Sequence, residues 1–386
     1  MSNRVAVIGT GQTQHVAKRQ DVSMAGLVRE AAERALEDAE MDWGDIDAVV
    51  VGKAPDLFEG VMMPELYLAD ALGASNKPLL RVHTAGSVGG STSVVASHLV
   101  QAGLHERVLT VAFEKQSESN AMWALSIRPP FYGGGGVAGA GGYFAPIVRG
   151  YMRKSGAPVD TGYKVVLKDR LNALKNPYAH LHQEDITYES IAESPLLWDP
   201  IRYAETCPSS DGAGAMVLGS ESVADAASRP VAWVRGTAVR SEPTTGAGRD
   251  RVNPWAGRLC AEDVYREAGI TDPRSEIDCA ELYVPFSWFE PMWLENLGFA
   301  AENEGWKLVH DGSTEIGGDL PINPSGGVLS SNPIGASGML RFLEAANQVR
   351  GVAGDYQVEG ARTAVGHAYG GGSQFFAMWV VGADKP

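Results

Sequence analysis

Residues 27–52, LVREAAERALEDAEMDWGDIDAVVVG, decide how this chain folds. Apolar positions keep to one face of a 3.6-residue repeat as far as Ala39, Ser23 stands ahead of them as an N-cap, and DAVVV (47–51) has the apolar run of a buried strand. RVAVI (4–8) reads as another buried strand, so the order is strand, helix, strand, which implies a parallel sheet. The plan returns later: AEDVYREAG (261–269) and SEIDCAELY (275–283) echo REAAERALEDAE (29–40) and GDIDAVVVG (44–52), with Ile-Asp at 46–47 and again at 277–278. An echo of this kind predicts a duplicated α/β chain.

Working outward, SVGGSTSVVASHLVQAG (87–103) reads as a helix of small residues able to pack tightly in a core, followed by the strand RVLTVAFE (107–114). A loop rich in Gly and Ser leads into another helix at 323–351, and TAVGHAYGGG (363–372) reads as the last strand. An acidic, alanine-rich helix ends near 222–230 and a new strand, VAWVRG, begins at 231, which divides the chain into halves 1–228 and 229–386. Roughly 100 residues separate RVLTVAFE from the closing strand AMVLG (215–219), too many for an ordinary connection. The segment 115–205 is therefore expected to form a lid or substrate-binding subdomain. Its aromatics, Trp123, Phe131, Tyr132, Tyr143, Phe144 and Tyr151, suit a bulky apolar group and equally suit a core.

Composition narrows the partners. With 386 residues, 44% of them hydrophobic, the chain can bury one large core or two ordinary ones. A net charge of −15 argues against nucleic acid as a general partner, because that binding rests on basic patches. The three cysteines, Cys207, Cys260 and Cys279, show neither disulfide nor metal-ligand spacing, so no metal is expected. The start MSNRVAVIGTGQTQ has no leader pattern, and no apolar run approaches the ~18 residues of a membrane span, so a cytoplasmic protein is expected. Between Arg149 and Lys175 seven basic residues (Arg149, Arg153, Lys154, Lys164, Lys168, Arg170, Lys175) face two acids. They form either a solvated helix face or a grip on the phosphates of a nucleotide-bearing substrate. VIGTGQT (7–13) lacks the third glycine of a dinucleotide fingerprint, and GGGGVAGAGG (133–142) lacks the Gly-Lys-Ser/Thr ending of a P-loop. The second run reads as a mobile loop.

Taken together, AVIGTGQT (6–13), the stretch 27–52, TCPSSDGAGAMVLG (206–219), INPSGGVLSSNPIGASGM (322–339) and HAYGGGSQF (367–375) resemble the thiolase superfamily, in particular its sterol-carrier-protein type. The resemblance covers essentially the whole chain. It implies two βαβαβαββ halves stacked in five layers, α/β/α/β/α, a homodimer, coenzyme A thioesters as substrates, and four catalytic loops converging on a site that stabilises an enolate. No separate cofactor is implied, since coenzyme A arrives as part of the substrate.

All four loops depart from the family pattern. Where a thiolase carries its nucleophilic cysteine this chain reads His83-Thr84-Ala85-Gly86-Ser87, and alanine cannot be acylated. Ser87 is the nearby candidate nucleophile, with no evident partner base beyond His83, and fits a structural place at a crowded helix start. In the second loop Glu281-Leu282-Tyr283 puts tyrosine in place of histidine. It serves as a core residue, or as a donor to a thioester oxygen and, at a lowered pKa, a base. Thiolase-like steroid aldolases are similar in both respects, lacking the cysteine and carrying a tyrosine here. In the third, Ser331-Asn332-Pro333 keeps an amide donor at Asn332. In the fourth, His367-Ala368-Tyr369-Gly370 supplies His367 and Tyr369 as acid/base candidates, with backbone N–H groups from Gly370, Gly371 and Gly372.

These departures favour retro-aldol cleavage of a 3-hydroxyacyl-CoA bearing a steroid or similar side chain. A base, Tyr283 or His367, would take the β-hydroxyl proton, Asn332 and the glycine amides would hold the enolate, and Tyr369 would protonate it. The substrate's phosphates would meet Arg149, Lys164, Lys168 and Arg170, and His83 would add a further substrate contact. Two alternatives remain: Claisen chemistry through an unorthodox nucleophile such as Ser87 or Cys207, and a silent acyl-CoA-binding subunit working beside a small protein with an OB-fold and a zinc ribbon.

Overall fold

In the computed structural model the described residues are 3–121, 125, 139–243 and 248–386. Trp123, Phe131, Tyr132 and the glycine run as far as residue 138 lie outside them. Among the described residues nine strands form one mixed sheet: β1 (Val5–Gln12), β2 (Ala48–Lys53), β3 (Leu79–Val82), β4 (Arg107–Lys115), β7 (Asp211–Ser220), β8 (Ala232–Ser241), β9 (Cys279–Glu281), β10 (Thr363–Gly370) and β11 (Phe375–Gly382). A two-stranded hairpin, β5 (Leu196–Trp198) with β6 (Ile201–Arg202), stands apart. Helices of eight residues or more among the described residues are α1 (Met24–Ala39), α2 (Val88–Gln101), α3 (Gly139–Ser155), α4 (Thr161–Ala173), α5 (Trp255–Ala268), α6 (Phe289–Asn296) and α7 (Ile334–Arg350).

The sheet order is β3-β2-β4-β7-β1-β8-β11-β10-β9, and it repeats about the β1–β8 contact. From one edge the strands run third, second, fourth, fifth, first. From the other edge the same order holds if Ile322, bridged in parallel to Ala280 of β9, takes the third place. Parallel and antiparallel pairings match in both runs. The two runs join through only two residue pairs, Ala6 with Trp233 and Val7 with Ala232. Four strands exceed the sequence reading, the short β3, β5 and β6 and, beyond TAVGHAYGGG, FFAMWVVG, which continues as β11 and pairs antiparallel with β10 after a tight glycine turn.

Local chemistry explains these elements. The Ser23 hydroxyl caps α1 by accepting the Gly26 N–H at 3.1 Å, and Glu40, at φ 55°, ends it. The glycines of VIGTGQT have a packing role: a Cβ on Gly9 or Gly11 would lie 2.4 or 2.3 Å from carbonyl oxygens of α1, so bare backbone lets strand and helix touch. Helix α1 covers one face of β1, β4 and β7, and α5 covers the outer face of β8 and β11. Between the two runs of strands lie α2 and α7, both almost wholly buried. They approach so closely that a Cβ on Gly89 would stand 2.4 Å from the Met339 nitrogen. Buried hydroxyls on α2 are satisfied within the helix: Thr92 and Ser93 donate to the carbonyls of Val88 and Gly89 at 2.7 and 2.9 Å. The result is the five-layer α/β/α/β/α stack of a thiolase fold. No helix among the described residues is long and apolar enough to cross a membrane.

Candidate active site

The loops that start α2 and α7 meet the ends of β9 and β10. Ala85 holds a left-handed backbone, φ 52°, which tightens the turn into α2. Gly86 faces the fourth loop: a Cβ built on it would stand 3.2 Å from the Tyr369 carbonyl oxygen and 4.0 Å from the Tyr283 hydroxyl. From the other side, a Cβ on Gly370 would lie 2.4 Å from the Gly86 nitrogen and 2.5 Å from that of Ser87. Backbone thus presses on backbone, and glycine is required for the first and fourth loops to touch. Gly371 follows at φ 63° in the turn to β11. The Ser87 hydroxyl donates to the Thr84 carbonyl at 2.7 Å, so it is folded back onto its own loop. His83 is exposed on its loop, and partial desolvation and the neighbouring Arg81 charge hold it below its usual pKa.

Tyr283 lies just beyond β9, with its ring 5.3 Å from that of Tyr369, edge to face. Tyr369 in turn stacks on Phe289 at 5.5 Å and meets Trp293 at 5.2 Å. Burial raises the pKa of both phenols well above the ordinary tyrosine value. Both are therefore hydrogen-bond donors at neutral pH, and neither rests as a phenolate. The Tyr283 hydroxyl donates to Asn332 Oδ1 at 3.4 Å, and Asn332 Nδ2 lies 3.2 Å from Cys207 Sγ.

His367 does not titrate near neutrality. Fully buried among Trp293 and Phe376, it is lowered to about 3 by desolvation. Its Nδ1 accepts the Tyr283 N–H at 3.3 Å, which places the ring proton on Nε2, and that nitrogen has no hydrogen-bond partner among the described residues. It is a neutral imidazole that orients the Tyr283 backbone.

The basic positions separate. Arg149 pairs with Asp199 at the rim of an open depression of about 530 Å³, and Lys164 is half-buried on α4. Lys168 and Arg170 are buried and turned inward. Lys168 Nζ contacts Asp169 at 2.6 Å, Glu290 at 3.1 Å and the Ile322 carbonyl at 2.7 Å. Arg170 donates to the Leu329 carbonyl and to Gln183 Oε1, the latter at 3.1 Å. A buried cation needs such partners, and here they lock α4 onto the segment leading to Asn332 rather than offering charge to a ligand.

Sequence reasoning named Cys207 only as an alternative nucleophile, and the fold brings it to Asn332 at the site. Its thiol is pushed up to about 12 by burial, so the sulfur stays protonated. Ser337, in the first turn of α7, is the residue the sequence did not single out, and it donates to Asn332 Oδ1 at 2.8 Å. The quoted motif TCPSSDGAG signalled the first, and no spacing rule signals the second.

A thiolase fold with paired central helices, each starting at a loop of this cluster, defines a class of enzyme acting on thioesters. The chain belongs to the thiolase superfamily, in its sterol-carrier-protein branch. The family described as thiolase C-terminal domain-like matches residues 244–383. The chain is 31% identical over 381 residues to an acetyl-CoA acetyltransferase of Methanothermobacter thermautotrophicus, covering 95% of this chain and 96% of that protein. It is 28% identical over 400 residues to human sterol carrier protein 2, covering 98% of this chain and 72% of that protein. Among solved structures, Ltp2-ChsH2(DUF35) aldolase superposes with a TM-score of 0.85 at 26% identity, covering 100% of this chain and 99% of that one. The protein is thus a thiolase-like enzyme of acyl-CoA chemistry, of acyltransferase or lyase type.

Proposed function

We propose that the chain cleaves a 3-hydroxyacyl-CoA by a retro-aldol reaction, releasing a carbonyl product and a shorter acyl-CoA. The observation that carries this reading is a cluster of neutral donors, Tyr283, Tyr369 and Asn332, beside an alanine at the place of the attacking sulfur. In a retro-aldol step the β-hydroxyl loses its proton, the Cα–Cβ bond breaks, and the electron pair passes to the thioester enolate, whose Cα then takes a proton. One proton moves from oxygen to carbon and none is gained or lost. A neutral phenol can serve such a transfer by accepting at its oxygen while giving up its own hydrogen, so the raised pKa values suit a relay through Tyr283 and Tyr369. Asn332 would hold the enolate oxygen, helped by backbone N–H groups of the Gly370–Gly372 turn.

The same reading keeps Arg149 and Lys164 as contacts for the coenzyme A phosphates, and the aromatic wall of Phe144, Phe286 and Phe289 for a steroid-like or other bulky acyl group. Acyl transfer through Cys207 is less well supported, because a protonated thiol without a base is a poor nucleophile. We further infer two halves meeting at 228/229, a cytoplasmic location, and no cofactor beyond the coenzyme A of the substrate. The two-component name of the aldolase neighbour supports a partner protein, which we infer to be small, with an OB-fold and a zinc ribbon. A homodimer is supported by the outer edge of β3, near which Met62, Met63, Leu66 and Leu80 are exposed.

The test is incubation with 3-hydroxyacyl-CoA and 3-oxoacyl-CoA thioesters, with and without free coenzyme A, reading products by mass. Cleavage of the hydroxy thioester without coenzyme A is expected, and Tyr283→Phe should lower it at least ~10³-fold with folding intact. Full activity in that variant, or cleavage only of the oxo thioester and only with coenzyme A, would overturn the reading.

A further inference from the structure

Around Asn332 lie, besides Tyr283, two groups that the reaction above does not use, Ser337 and Cys207. Its oxygen accepts two hydroxyl donors, Ser337 at 2.8 Å and Tyr283 at 3.4 Å, while its nitrogen faces Cys207 Sγ at 3.2 Å. An amide nitrogen carries two hydrogens, and with one directed at sulfur a single N–H is left for a ligand. The main chain of Asn332 is fixed as well. Its N–H donates to Ser210 Oγ at 3.1 Å, and its carbonyl accepts from Gln116 Nε2 and from the Ser210 N–H. The sulfur cannot wander, because Cys207 N–H donates to the Pro285 carbonyl at 2.9 Å and Thr206 bridges to Phe286. Rotation of the amide about its last torsion is the freedom that remains, and Ser337 and Cys207 oppose it from the two ends.

We propose that Ser337 and Cys207 are positioning residues that orient the Asn332 amide, so that its one uncommitted N–H meets the oxygen of a bound thioester. Reversing the amide would turn its N–H groups toward the two hydroxyls and its oxygen toward sulfur, and the donor for the substrate would be lost. The inference rests on Asn332 acting as the thioester-oxygen donor, and it names the groups that make that donor reliable.

Exchange of the α-hydrogens of acetyl-CoA in D₂O, followed by mass, reads enolate stabilisation without requiring carbon–carbon cleavage. Asn332→Ala should slow exchange on the order of 10²-fold. Ser337→Ala should slow it about 10-fold with little change in half-saturating acetyl-CoA, and Ser337→Thr should recover most of the loss. Cys207→Ala should cost about three-fold and Cys207→Ser less, since a serine oxygen still accepts. Placed on top of Asn332→Ala, neither change should slow exchange further. Ser337→Cys, which keeps the volume and weakens the donor, gives the same comparison where the alanine variant does not fold. Unchanged exchange in the Ser337 variants, or an equal loss in the Asn332→Ala background, overturns the proposal. If the wild type exchanges as described but does not cleave 3-hydroxyacyl-CoA, the retro-aldol reading fails and the positioning role stands. If the wild type shows no exchange, both fall.

Discussion

The loops at the starts of the two central helices occupy matching places and have diverged. Before α2, Ala85 contributes no functional group, and the nearby Ser87 hydroxyl turns back to the Thr84 carbonyl. At the start of α7, Ser337 turns its hydroxyl onto the Asn332 side chain, which also meets Tyr283 and Cys207. One loop has become shape and backbone, and the other carries the side-chain chemistry. The lesson is that a duplicated scaffold can lose the reactive atom on one side while keeping the geometry that served it, because that geometry is held by backbone contacts the lost side chain never made.

That contrast can be broken at its strongest point, the contact of Gly370 with Gly86. Gly370→Ala places a Cβ against two main-chain nitrogens that cannot yield. It should cost about 3 kcal/mol or more, at the upper end of overpacking penalties, and lower turnover at least ~100-fold, read by thermal melting and product assay. A second change acts on the support beneath the Asn332 side. Glu205, fully buried, accepts from the Arg202 N–H at 2.8 Å and from Ser287 Oγ at 3.0 Å, and burial raises its pKa to about 7. Its folded value lies above the unfolded 4.5, so its contribution is complete below that pH and is lost as pH rises through about 7. Stability should fall by on the order of 2–3 kcal/mol from this group over that window, and Glu205→Gln should flatten the decline in melts recorded from pH 5 to 8. The smallest effect sharpens the comparison directly. Ser87→Ala removes only a local bond and should cost about 1 kcal/mol with turnover within about two-fold, unlike the loss expected at Ser337.

Much of this arrangement could be read from the chain alone, because it depends on local pattern. Ser23, the apolar face of residues 27–36 and DAVVV place α1 and β2 within a residue or two of where they lie. The Ile-Asp echo foreshadows the repeated strand order, and Ala85, Tyr283, Asn332 and Tyr369 are visible as substitutions in loops of recognisable shape. What escaped depends on distance in space. FFAMWVVG has the continuous apolar character of a buried strand, but the glycines before it mark an ending as readily as a hairpin turn. Lys168 reads as surface charge until Glu290, far along the chain, is brought to its ammonium. His367 reads as a group poised near neutral pH until its surroundings prove apolar. Cys207 and Asn332 are 125 positions apart, and no periodicity announces their meeting.

The close approach of Gly89 to Met339 has a consequence for how such an enzyme can change over time. Two helices touching through bare backbone cannot slide without collision, so a slip in either run of strands would displace both sets of loops together. New specificity is therefore most freely acquired at the outward positions of α3, where substitutions do not reset the register of the interior.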